Sequence, residues 1–355
     1  MRLACTVFVI AIILFHAPAQ AVDTAALAQQ GQRIMEVGRA MDSITRRCWA
    51  LQGKTDSQTK DAGLINYLGY MSDIGGSWTA QVRVTTRFTN DATQLANDPA
   101  EAQKLLGIAS MTLDNAGNFF KSASAVSTDQ FGVDQNTEGN GILNEFKKLS
   151  ADGLKVIDSL RSILGVFKMV PFNTSFMSRG ISIQTRANQL GKRAEVVRKS
   201  ATNGLEANMA DEILLQSIYG YQHMLMATET SAYALLFPKQ VKDQKKAAEV
   251  RDVMVKYVTH LQRSVDFFHN RLARYATTIT NPELKRAMAE LLEFNTSVQV
   301  FMVDLMSVVA SGQDGPAASQ QQAGSKPAPS AKPAQPGQAA KPAPNSGKIN
   351  WENVY

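Results

Sequence analysis

Apolar residues recur every three or four positions over long stretches of this chain, and the most regular run lies between residues 250 and 279. Its members are Val250, Val253, Tyr257, Leu261, Val265, Phe268, Leu272, Tyr275 and Ile279. This spacing places them on one face of an α-helix. The steps are mixed and do not keep a strict seven-residue repeat, so they indicate a helical bundle and not a coiled-coil rod.

Two tripeptide signals predict where helices begin. Asn281-Pro282-Glu283 places a capping side chain before proline and an acid in the first turn, which predicts a helix over 282–310. We expect it to pack antiparallel to a helix over 242–280, forming a long helical hairpin. Asp98-Pro99-Ala100-Glu101 carries the same features and predicts a helix over 99–126.

Four further stretches show helical spacing: 24–52, 58–74, 142–169 and 180–237. We expect the helix over 58–74 to end at Gly75-Gly76, because glycine commonly terminates helices. The long stretch 180–237 contains few helix breakers, and it is predicted to form two helices that meet near Asn203-Gly204.

Residues 78–89 fit two kinds of element. Trp78, Ala80, Val82, Val84 and Phe88 alternate with polar residues as in a half-buried strand, whereas steps of three and four through the same stretch fit a helix. No convincing partner strand is present in the sequence. We therefore predict a helix here.

The predicted fold class is all-α, an elongated helical bundle with long antiparallel helices followed by a disordered C-terminal tail rich in Pro, Ala and Gln. Only four of the 12 prolines lie within 22–310, as expected for long regular elements. The sequence divides into these predicted regions: signal peptide 1–21, N-terminal helical region 22–126, loop 127–141, C-terminal bundle region 142–310, linker 311–347 and short linear motif 348–355.

The linker, which we call the spacer, contains seven Pro and nine Ala but no Val, Ile, Leu, Met or aromatic residue. Such a segment cannot bury enough apolar surface to fold. Residues 348–355, the C-terminal segment, restore large apolar side chains. We predict that Ile349, Trp351, Val354 and Tyr355 bind a protein partner, since aromatic residues dominate binding hot spots. The alternative is that the C-terminal segment folds back on its own bundle.

The N-terminus has the pattern of a secretory signal peptide. A basic residue precedes the apolar run 3–15, and Ala19-Gln20-Ala21 is a small-x-small cleavage motif, so cleavage is predicted after Ala21. We expect a periplasmic or extracellular protein. Cys48 is then the only cysteine of the mature chain, and we predict a buried thiol, with a disulfide between chains as the alternative.

No catalytic motif is recognised, and we predict no catalytic residue, no metal site and no cofactor. Asp266 and His269 share a helix face, but a metal site in a bundle needs a second such pair. His223 is interpreted as a hydrogen-bonded helix residue and not as a ligand or base. The protein is therefore predicted not to be an enzyme, with an envelope enzyme of unrecognised site as an alternative.

Positive charge concentrates in residues 178–203, although the net charge of 22–310 is only +3. So diffuse an excess does not indicate nucleic-acid binding. Arg179, Arg186 and Arg193 follow one edge of an apolar helical stripe, with Arg198 beyond them. These four arginines are candidates for binding an anionic surface such as lipid headgroups or an acidic helix; the alternative is the solvated flank of an ordinary bundle helix.

These features favour an exported, non-catalytic interaction or assembly protein that docks a partner through its tail. The architecture is compatible with a component of an envelope-associated apparatus of the secretion, conjugation or pilus type. A second possibility is a secreted effector or membrane-surface-binding protein that uses the basic helix 178–203. The sequence does not specify an oligomeric state.

Overall fold

A computed structural model describes residues 23–52, 60–95, 99–127, 131, 137–165, 174–240, 243–275 and 279–311. Within these ranges the chain forms helices and no strand, which confirms the all-α helical bundle. The helices are α1 Thr24–Gln52, α2 Lys60–Leu95, α3 Pro99–Ser124, α4 Glu138–Leu164, α5 Ser175–Lys199, α6 Gly204–Gln240, α7 Gln244–Tyr275 and α8 Pro282–Ser311. The predicted leader, most of the spacer and the C-terminal segment lie outside the described residues.

The eight helices form two four-helix units of the same design. In the first unit, α1 packs against α2, α2 against α3, α3 against α4, and α4 closes the ring against α1. In the second unit, α5 to α8 make the corresponding contacts, including closure of α8 against α5. The expected pairing of α7 with α8 is present, and Asp266 on α7 accepts a hydrogen bond from Gln299 on α8 at 2.7 Å.

The two units meet mainly through α2 and α6, which run parallel to each other. Four hydrogen-bonded pairs along this contact join residues that are 146 positions apart: Asn66 with Glu212, Tyr70 with Gln216, Asp73 with Tyr219, and Ser77 with His223. When two helices run parallel, the residue numbers of facing residues keep a constant difference. When two helices run antiparallel, the residue numbers of facing residues keep a constant sum. This contact therefore has one fixed register over about three turns.

Cross-contacts outside the central pair are reciprocal. Helix α3 packs on α6 of the other unit, and α7 packs on α2. The two four-helix units therefore share one pattern of helix contacts, and the contacts of each unit with the other correspond as well. The domain bounds at 126 and 142 stay a prediction.

The predicted end of a helix at Gly75-Gly76 is wrong, because α2 continues through both glycines to Leu95. Residues 78–89 belong to this helix, as predicted. A Cβ added at Gly75 would lie 3.4 Å from the Met41 sulfur and 3.4 Å from the ring of Phe119. The glycine therefore lets α1 and α3 approach α2 closely, and it does not terminate the helix.

Helix ends elsewhere follow local capping chemistry. Asn281 accepts hydrogen bonds from the backbone N–H groups of Glu283 and Leu284 at 3.0 and 3.2 Å, which confirms the predicted start of α8. Helix α4 begins at Glu138, four residues before the predicted 142, because Thr137 caps it. It ends before Gly165, whose φ of 76° favours glycine.

The core is apolar and continuous through both units, and its largest fully buried side chains include Trp78, Tyr70, Tyr233 and Tyr257. Cys48 is fully buried among them, as predicted, and burial raises the pKa of its thiol to about 12. Among the described residues, α8 is long and apolar enough to cross a membrane by composition, but half of its most apolar window is buried within the bundle.

Candidate functional site

The four arginines predicted to bind an anionic surface all lie on α5, and each has an acidic partner within the protein. Arg179 pairs with Asp304, and Arg193 pairs with Glu290. Arg186 lies 2.8 Å from Glu293, and Arg198 lies 2.8 Å from Asp211. Three of these acids belong to α8 and the last belongs to α6.

The three arginines spaced by seven residues, Arg179, Arg186 and Arg193, therefore pair with acids of α8 in antiparallel order. Arg179 contacts the most buried of these acids, Asp304, whose side chain is 5% exposed. The guanidinium of Arg179 also lies 5.4 Å from the ring centre of Phe301. These contacts give the arginines a role in joining α5 to α8. Binding of the same arginines to an external anion stays a prediction.

The residues predicted to bind a partner, Ile349, Trp351, Val354 and Tyr355, lie outside the described residues. Asp266, considered for a metal site with His269, accepts the hydrogen bond from Gln299 given above. Within the described ranges, no group of three or more His, Cys, Asp or Glu side chains is arranged to hold a metal ion.

Polar side chains line the buried contact between α2 and α6, an arrangement that the sequence analysis did not predict. At one end, Glu212 accepts hydrogen bonds from Asn66 at 2.6 Å and from Tyr70. Further along, the hydroxyl of Tyr219 donates to Asp73 at 2.5 Å. Burial raises the pKa of Asp73 to about 6. The two units are thus held together by hydrogen bonds as well as by apolar packing.

Two histidines from different helices share one serine at the centre of this contact. The Ser77 hydroxyl lies 3.4 Å from Nε2 of His223 on α6 and 3.3 Å from Nε2 of His260 on α7. The Nδ1–H of His223 donates to the carbonyl of Tyr219 at 2.9 Å, which fixes its tautomer and makes its Nε2 an acceptor. His223 therefore has the hydrogen-bonded helical environment that its sequence context predicts.

Both imidazoles are neutral at pH 7. Burial lowers the pKa of His223 to about 3 and that of His260 to about 4. A neutral chain from His260 through the Ser77 hydroxyl to His223 joins the three side chains without a buried charge. This chemistry stabilises the junction of α2, α6 and α7.

Glu229 on α6 is another carboxylate at this contact and is 1% exposed. It accepts hydrogen bonds from Thr112 and Asn115 on α3, each at 2.7 Å, and a longer one from Gln81 on α2 at 3.5 Å. Burial raises the pKa of Glu229 to about 7. A single side chain thereby joins three helices from both units.

Beside Glu229, a groove with a volume of about 350 Å³ opens between α2, α3 and α6. Seven apolar or aromatic side chains supply most of its walls, and polar contributions come from two asparagines, one glutamine and one serine. We call it the amide groove. Its lining residues are Tyr67, Met71, Asn115, Asn118, Phe119, Ser122, Ala123, Ile218, Tyr221, Gln222 and Leu225. It is the candidate binding site of the body because it is concave, largely apolar and carries a few oriented polar groups.

Sequence reasoning missed the amide groove, because its walls come from three helices of two units and the register between α2 and α6 leaves no local pattern. In the sequence, Tyr221 and Gln222 stand next to His223, but nothing in this local order indicates a groove. Comparison with protein-family models, with curated proteins and with solved structures found no match for this chain.

Proposed function

We propose that this protein is an exported, non-catalytic helical interaction or assembly protein that binds a partner through its C-terminal segment. Its place would be the periplasm or the extracellular side of an envelope-associated apparatus of the secretion, conjugation or pilus type. The observation that carries the proposal is the end of α8 at Ser311, after which 36 residues of spacer composition precede a segment rich in large apolar side chains. Such a spacer lets a binding segment reach beyond the body that carries it.

The interior of the body supports a structural and not a catalytic role for its buried titratable groups. Asp73, Glu229 and His223 each make a hydrogen bond to a side chain of another helix. His223 and Glu229 are also inaccessible to a substrate, since they are 0% and 1% exposed. Their arrangement supports a stable platform for a tethered segment.

Binding of an anionic membrane by α5 is less well supported. Arg179, Arg186, Arg193 and Arg198 would have to exchange their carboxylate partners for lipid phosphates. For Arg179 this exchange would leave the buried Asp304 without its cation, which is costly. We therefore favour the tail over α5 as the binding element.

A photo-crosslinking amino acid placed at Trp351 tests the proposal in the cells that produce the protein. We expect one discrete adduct of higher mass after illumination, because Trp351 would lie at the centre of the bound segment. The matched control carries the same amino acid at Gln338 in the spacer and should give no discrete adduct. Equal patterns at the two positions, or no adduct at Trp351, would contradict the proposal.

A further inference from the structure

We propose that the amide groove holds the C-terminal segment of the same molecule, and that a partner must displace this segment in order to bind it. The docking itself stands independently of any partner. The regulatory role of the docking rests on the function proposed above. In that role, the C-terminal segment stays covered until a partner competes for it.

The walls of the amide groove suit aromatic side chains. Tyr67 on α2, Phe119 on α3 and Tyr221 on α6 face a common space, which Met71 and Leu225 complete. Aromatic rings favour one another in offset or edge-to-face contacts, and methionine adapts its shape to them. A volume of about 350 Å³ accommodates one or two large side chains of a peptide.

Two amides in the groove are oriented by their partners in the core. Trp78 can only donate, and its Nε1 gives a hydrogen bond to Oε1 of Gln222 at 2.9 Å. The Nε2 group of Gln222 is therefore directed away from Trp78 as a donor. Asn115 donates from Nδ2 to Glu229 at 2.7 Å, which leaves its Oδ1 as an acceptor. One donor and one acceptor are what a peptide group requires.

The C-terminal segment is the part of the tail that matches this surface. Beyond α8, large apolar side chains occur only within residues 348–355, namely Ile349, Trp351, Val354 and Tyr355. No lining residue of the amide groove is charged, and the two charged side chains of the segment, Lys348 and Glu352, have opposite signs.

The spacer is long enough to bring the segment to the groove. Phe294 on α8 contacts the position of Gly220, next to the groove residues Ile218 and Tyr221, and 17 residues separate Phe294 from Ser311. That separation is about 26 Å along the helix, and crossing one neighbouring helix adds about 10 Å. The 36 residues 312–347 have an r.m.s. reach of about 30–36 Å, so the distance and the reach agree.

Covalent linkage also favours docking within one molecule over capture of another copy. A tethered segment whose linker matches the span experiences an effective concentration of roughly millimolar. Even a weak peptide contact is then substantially occupied, whereas the same contact between two molecules at micromolar concentration is not.

Fluorine NMR of the full-length chain labelled with 5-fluorotryptophan tests the docking without any partner. The chain has three tryptophans, and Trp351→Phe identifies the signal of Trp351. We expect this signal to be as broad as those of Trp49 and Trp78, which lie in the body. A narrow Trp351 signal in the wild-type chain would overturn the proposal, while leaving the partner-binding function and its crosslinking test untouched.

Two substitutions on adjacent residues of α3 locate the site. Ser122 and Lys121 are both exposed, but only Ser122 lines the amide groove. Ser122→Tyr should fill the groove and narrow the Trp351 signal several-fold, whereas Lys121→Tyr should leave it broad. Trp49 and Trp78 report folding in the same spectra, and Asn118→Tyr, also exposed and in the groove, repeats the test if Ser122→Tyr perturbs them.

Two further outcomes count against the proposal. If the Trp351 signal stays broad in both groove variants, the segment docks elsewhere. If it narrows on dilution of the wild-type chain from high to low micromolar concentration, the occupant is the segment of a second copy and docking within one molecule is wrong.

Discussion

At the scale of single residues, the protonation of two carboxyl groups makes the stability of the contact between the units depend on pH. Glu229 accepts hydrogen bonds from three neutral donors and Asp73 accepts one, and burial raises the pKa of each, to about 7 and about 6. A raised pKa means that the folded state favours the protonated carboxyl. Protonation of these groups therefore stabilises the contact between helices of different units.

Glu229→Gln should make the free energy of unfolding fall less as pH rises. The pKa of Glu229 is raised from 4.5 to about 7, so its contribution to stability is fully present below about pH 4.5 and is lost as pH rises through about 7. The neutral amide has no such loss. We expect the free energy of unfolding of the variant, relative to wild type, to increase by about 1–3 kcal/mol between pH 5 and pH 8.

Urea denaturation at several pH values measures this difference. The exposed Glu36→Gln on α1 is the matched control and should follow the wild-type pH dependence. A constant offset between Glu229→Gln and wild type across this range would contradict the assignment.

The position of the arginines on α5 could be predicted from the sequence, but their partners could not. The spacing of Arg179, Arg186 and Arg193 correctly indicated one edge of a helix. What occupies that edge depends on Asp304, Glu293 and Glu290, more than 90 residues further along the chain. Pairing between distant helices leaves no local pattern, so the sequence left both an external anion and an ordinary flank open.

At the scale of helices, glycines set how closely neighbours approach. A Cβ added at Gly220 on α6 would clash with Cε1 of Phe294 on α8, whereas at Gly63 on α2 nothing lies within 4 Å. Both glycines lie within helices, Gly63 in the first turn of α2 and Gly220 in the middle of α6. They differ in the space around them.

We therefore expect opposite effects from alanine at these two positions. Gly220→Ala should destabilise the protein by about 1–3 kcal/mol, because the buried ring of Phe294 must move. Gly63→Ala should stabilise it by about 0.5–1 kcal/mol through helix propensity alone. Thermal or urea unfolding followed by circular dichroism measures both, and a stabilising Gly220→Ala would show that α6 and α8 are not in close contact there.

A helix end could be predicted where its signal lies within one turn of the chain. The starts at Pro99 and Pro282 follow from residues within one turn, and both are correct. The expected stop at Gly75-Gly76 failed because the local signal for a stop is the same as the signal for close packing. Only the neighbours Met41 and Phe119 distinguish the two, and they lie on other helices.

At the scale of the whole molecule, the parallel contact between α2 and α6 makes each unit depend on the other. Asp73 and Ser77 of the first unit have their partners, Tyr219 and His223, in the second. Separation would expose these groups and the apolar surface around them. The register of this contact, and hence the amide groove, could not be predicted, because it rests on side chains from both halves of the sequence.

A protease site inserted after the exposed Gly165, between α4 and α5, tests this dependence. We expect the two fragments to remain together on size-exclusion chromatography after cleavage and to keep the helical content of the intact chain. They should separate only in denaturant. Fragments that separate in native buffer and stay folded would show that the units are independent domains.

The shared register of α2 and α6 also has a geometric consequence for the ancestry of such a body. If a single four-helix protein formed a homodimer through its second helix, each residue of that helix would face its own copy. Joining the two subunits end to end converts every such self-contact into a contact between residues one subunit length apart. Once joined, the two sides can change separately, so that Ser77 can face His223 and one side can open a groove between α2, α3 and α6.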